Sequence, residues 1–85
     1  MRAYLTTFAS THAAMAFDAS FAGRGALVPV PPALRAGCGM AWRFVRAADD
    51  EALREADEVA RAAGLAADDW QLFAAQDDGF REVKG

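Results

Sequence analysis

The sequence predicts an α+β fold in which two helices lie on one face of an antiparallel sheet. Three observations predict it. Strand-like and helix-like stretches alternate in the order β-α-β-β-α-β with a short tail; glycine, proline and Asp-Gly punctuation separates them; and 85 residues leave room for one core only.

Residues 4–8 are β-branched, aromatic or leucine and read as a first strand. Ser10 and Thr11 follow as helix-capping types, and Ala14, Phe17 and Phe21 recur at the i, i+3, i+7 spacing of a buried helical stripe. Gly23 or Gly25 ends that helix. Residues 26–30 form a second strand, and Pro29, which has no N–H for a ladder, places it at a sheet edge or a strand end. Residues 31–39 make a loop, stiffened by Pro31 and Pro32 at its start and loosened by Gly37 and Gly39 at its end. In the third strand, residues 40–45, Met40, Trp42 and Phe44 point one way and Ala41, Arg43 and Val45 the other.

The second helix has the strongest signals. Asp49 stands as its cap, Asp50 and Glu51 complement the dipole, Leu53, Ala56, Ala60 and Ala63 form the buried stripe, and Gly64 closes it. Asp50–Arg54, Arg54–Glu58 and Asp57–Arg61 are spaced as pairs on its solvated side. Residues 70–75 are a fourth strand, Asp77-Asp78-Gly79 a turn, and residues 80–84 a short last strand or tail. That order is the ferredoxin-like sandwich, one domain over residues 1–85, with one sheet face left open as a surface for a homodimer.

Composition narrows the function classes. The formal net charge is −3 and the arginines are scattered, whereas a nucleic-acid binder carries a basic stripe. No apolar run approaches the ~20 residues that span a bilayer, and the first residues lack the apolar core of a signal peptide. A single cysteine allows no intrachain disulfide, so a reducing cytoplasmic setting with a free thiol is expected. One Cys and one His fall short of the three or four ligands of a metal site, Asp77 and Asp78 belong to a turn, and nothing in the chain asks for a cofactor. Trp42 and Trp70 read as core or dimer contacts.

The chemistry then rests on Cys38. In the predicted topology the first strand ends, the first helix begins and the 31–39 loop turns at one end of the sheet. Cys38 and the Ser10-Thr11-His12 segment therefore meet there, as does the link into the fourth strand. A helix N-terminus and a neighbouring cation favour thiolate, and His12, Arg35 and Arg43 are the cations within reach of the argument. A lone cysteine is equally a small buried hydrophobe, and a histidine near a helix start is often only exposed.

Val28-Pro29-Val30-Pro31, Leu34 and the run Cys38-Gly39-Met40-Ala41-Trp42-Arg43-Phe44 resemble the signature of small domains described as Se/S carrier protein-like. Phe8 followed by Ser10-Thr11-His12-Ala13-Ala14 is similar to the start of those proteins. The resemblance implies a cysteine that holds sulfur or selenium as a persulfide or selenopersulfide, with donor and acceptor proteins as partners. Only Cys38 can take that role, with Gly39 as its motif neighbour. The predicted topology, apart from the resemblance, adds His12 as a candidate thiolate stabiliser and Ser10, Thr11, Gly39 and Arg43 as candidate binding residues. The other reading is a ligand-sensing or interaction module in which Cys38 is structural; a sulfur buried among apolar side chains would remove most of the support for carrier chemistry. A thiol redox enzyme ranks last, because no resolving cysteine is present. The expectation is a carrier or binding protein rather than an enzyme.

Overall fold

The first strand, β1 (Arg2–Phe8), runs up the middle of the sheet, and its alternation sets the two faces. Tyr4 and Phe8 point into the buried cluster under the helices, while Leu5 and Thr7 point away from it. The computed structural model describes all residues, 1–85. After β1 come α1 (Thr11–Ser20), β2 (Ala26–Pro29), β3 (Met40–Arg46), α2 (Asp49–Ala62), a single 3-10 turn at Ala67–Asp69, β4 (Trp70–Gln76) and β5 (Gly79–Lys84). The strands lie in the order β2-β3-β1-β4-β5 and every neighbouring pair is antiparallel. This is the expected ferredoxin-like arrangement with the tail added as a full fifth strand. Pro29 sits on β2 at the sheet edge, where its missing N–H does no harm.

The core lies between the sheet and the helices. Trp42 and Phe44 of β3, Trp70, Leu72 and Ala74 of β4, and Phe17 and Phe21 from α1 and its end fill it. Phe21 stacks obliquely on Trp42 at 5.0 Å and on Phe44 at 5.4 Å between ring centroids. Both helices meet this layer mainly through alanine, which lets them sit close to the sheet while the strands supply the bulk.

Several local expectations change. Ala48, not Asp49, is the N-cap of α2, and it makes no side-chain cap bond. Asp49 is drawn away by distant partners: it accepts from the Tyr4 hydroxyl at 2.7 Å and pairs with Arg81 at 2.7 Å and Arg2 at 3.6 Å. The buried stripe of α2 is Ala52, Ala56, Val59 and Ala60, so Ala52 and Val59 take the places expected for Leu53 and Ala63, and Leu53 is half-buried against the cluster. Of the three expected helix-surface pairs, Asp57–Arg61 forms at 2.7 Å; the Asp50–Arg54 and Arg54–Glu58 pairs do not close. Gly64 closes α2 as expected, with a left-handed φ of 76°. The first helix ends at Ser20 with Phe21 as its C-cap, ahead of both glycines.

Candidate functional site

The end of the sheet where β1 finishes gathers four segments, and main-chain hydrogen bonds do the gathering. Cys38 N–H donates to the Phe8 carbonyl at 3.2 Å, Ala9 N–H to the Asp69 carbonyl at 2.9 Å, and Val30 N–H to the Gly39 carbonyl at 3.0 Å. The 30–39 loop is thus tied to the β1–α1 junction, and that junction to the turn before β4. Gly37 allows this approach: a Cβ there would overlap the carbonyl oxygen of Ala9 and lie 2.8 Å from its carbon. On the other side of Cys38, a side chain at Gly39 would enter open space.

The Cys38 thiol points inward. The residue is 5% exposed and joins the apolar cluster. Its Sγ accepts the Met40 N–H at 3.4 Å, a main-chain donor placed where negative charge on sulfur would sit. The sulfur therefore has one polar contact and an otherwise apolar setting.

Ser10 is the N-cap of α1, its Oγ accepting the Ala13 N–H at 3.1 Å. Thr11 and His12, in the first turn of α1, are exposed, and that turn contains no acidic residue. Ser10, Thr11 and His12 thus stand two to four residues beyond Phe8, whose carbonyl holds Cys38. Arg43 is not brought to this end. It lies in mid-β3, opposite Leu5 and Ala26, exposed on the helix-free face. The odd–even alternation of a strand forbids it from sharing a face with Trp42 and the cysteine cluster.

Beside the loop lies an open cleft of about 500 Å³ lined by Thr7, Ala9, Arg35, Gly37, Asp68 and Trp70. Reasoning from sequence named Arg35 but missed Thr7 and Asp68, because each reaches the cleft from a different element with no shared motif. Lys84 also belongs to this end. Its Nζ donates to the carbonyls of Ala67 and Trp70 and lies 4.1 Å from the centre of the Trp70 ring. Burial holds the Lys84 ammonium below its ordinary pKa, against the opposing pull of Asp57 and Asp68.

The family model described as "Putative Se/S carrier protein-like" matches residues 3–67, from β1 to the turn before β4. The chain belongs to that family. The matched span holds β1, α1 and the 30–39 loop of the Cys38 end and stops short of Asp68, Asp69, β4 and β5. Neither a curated protein nor a solved structure gives a match. No helix is long and apolar enough to cross a membrane.

Proposed function

We propose that this chain is a sulfur or selenium carrier that acts in a reducing cytoplasm and holds the transferred atom on Cys38. The observation that carries the reading is the Cys38 anchorage: a cysteine within the family-matched span whose N–H is held by Phe8 and whose Sγ faces the Met40 N–H, next to an unobstructed Gly39. In the loading step the Cys38 thiolate attacks the outer sulfur of a donor protein's cysteine persulfide. The new S–S bond forms at Cys38 as the donor's S–S bond breaks, and the donor cysteine leaves as thiolate. No net oxidation occurs, and the reverse exchange delivers the atom to an acceptor.

Because Cys38 is 5% exposed, loading in this reading has the 30–39 loop swing outward, releasing the Cys38–Phe8 hydrogen bond. Reclosure then shields the persulfide from water and stray thiols. In this reading His12 stabilises the thiolate in the open loop, and Ser10, Thr11 and Gly39 form the rim that donor and acceptor proteins touch. A homodimer through the helix-free sheet face would leave that rim free.

The test is direct. The chain is incubated with a cysteine desulfurase and cysteine, and its intact mass is measured. Wild type gains a sulfur-sized adduct and Cys38→Ser gains none; absence of the adduct in wild type, or its presence in both, overturns the carrier reading.

The burial of Cys38 within the apolar cluster specifically favours a second reading, an interaction module with a structural cysteine. Alkylation separates the two. A native rate that climbs only near the ordinary thiol pKa of ~8.5, with no advantage at neutral pH, supports the second reading.

A further inference from the structure

The helix-free face of the sheet carries a charge pattern that the chain itself leaves unanswered. Across its middle, strand register lines up Ala26, Arg43, Leu5, Phe73 and Glu82 on β2, β3, β1, β4 and β5. Arg43 and Glu82 are both exposed, and neither takes part in an ion pair within the chain. They stand three strand spacings apart, roughly 14 Å, which is too far to pair with each other. Between them lie Leu5, already buried, and the half-buried Phe73.

We propose that a second copy of this chain covers the face, related by a two-fold axis parallel to the strands and passing between β1 and β4. That axis exchanges β1 with β4 and β3 with β5 across the interface. Leu5 then faces Phe73 of the second copy, and Arg43 faces Glu82 of the second copy, twice over by symmetry. One flanking row matches as well. Toward the start of β1, Val45 on β3 meets Phe80 on β5, both half-buried and apolar. Toward its end, Thr7 is already buried within the chain, so that row adds no contact.

A two-fold axis across the strands would instead lay β3 on β3 and leave Arg43 and Glu82 without partners. Charge therefore selects the axis. Sheets packed face to face lie ~10 Å apart with strands within about 30° of aligned, a gap that Arg and Glu side chains bridge from opposite sides. Since the axis is parallel to the strands, both Cys38 loops emerge at the same end of the dimer. The inference deepens the homodimer of the proposed function and is independent of the sulfur chemistry.

Sedimentation equilibrium on the full chain, from micromolar to millimolar, tests it alongside R43E, E82R and the double exchange R43E/E82R. The dimer is expected for wild type, each single variant weakens it at least tenfold, and the double exchange restores it to within a few-fold of wild type. Raised salt weakens the wild-type dimer and the exchanged one alike. Both positions are exposed, and an unchanged far-UV circular dichroism spectrum confirms that each variant is folded. A wild-type monomer throughout overturns the homodimer and the axis together. A wild-type dimer that the single variants leave intact, or that the double exchange fails to recover, overturns the axis alone.

Discussion

At the end of the sheet where β1 begins, the elements are tied together by side chains; where β1 finishes, they are tied mainly by main chain. The first end has Tyr4, Arg2 and Arg81 converging on Asp49, and the Arg46–Glu55 pair beside them. The second has Cys38 to Phe8, Ala9 to Asp69 and Val30 to Gly39, all backbone. The first end is therefore sensitive to pH and to charge. The second is sensitive to backbone shape; Ser10 caps α1, while the side chains of Thr11 and His12 are exposed.

The two glycines around Cys38 give the sharpest way to break the second end. Gly37→Ala drives a Cβ into the Ala9 carbonyl, backbone against backbone, and an overlap of that kind is expected to destabilise the fold by about 3 kcal/mol. Gly39→Ala meets nothing and has no left-handed φ to lose, so its effect is expected to stay within about 0.5 kcal/mol. Urea denaturation of the pair measures the difference. Equal effects would show that the loop is not held against Ala9.

At the first end, Asp49→Asn is expected to cost about 2 kcal/mol, because it weakens the acceptor of a buried tyrosine hydroxyl and leaves Arg81 unpaired. The pH dependence follows from two opposite shifts. Hydrogen bonds from Tyr4 and then Arg81 hold the Asp49 carboxyl below its ordinary value, so its contribution is present above the usual carboxylate range and is lost as pH falls through the native pKa. Burial, and then the bond to Asp49, pushes Tyr4 up to about 12 from 10.0. Its contribution is complete below pH 10 and is lost as pH rises through about 12. The chain has one tyrosine, so phenolate absorbance reports Tyr4 alone. Asp49→Asn should move that titration downward and flatten the acid side of the stability profile.

The contrast between the ends also explains what could be read from the sequence. Alternation in β3, the stripe of α1 and Pro29 at an edge are local patterns, and each one predicted its face or place. The meeting of Cys38 with the start of α1 followed from topology alone, without any side-chain detail. Asp49 misled because its spacing fits a cap, while the Tyr4 hydroxyl that claims it lies 45 residues away in the chain. Arg43 misled differently: sequence proximity to Cys38 suggested a shared site, and the sheet turned it to the other face. The inward aim of the Cys38 sulfur was not legible, since a Gly-flanked loop residue can face either way.

Smaller effects test whether the side chains near Cys38 are structural. Ser10→Ala removes the cap of α1 and is expected to cost about 1 kcal/mol, measured by the same denaturation series.

His12→Gln is the mildest change and the most informative one for the chemistry. His12 is exposed and makes no hydrogen bond or ion pair, so the stability change is expected within about 0.5 kcal/mol. The rate of sulfur loading on Cys38 is then a readout that folding cannot disturb. A several-fold slower loading at unchanged stability is the expected outcome, and it assigns His12 to stabilising the thiolate in the open loop. Loading at the wild-type rate would remove His12 from the site, and would leave the Met40 N–H as the polar contact to the sulfur.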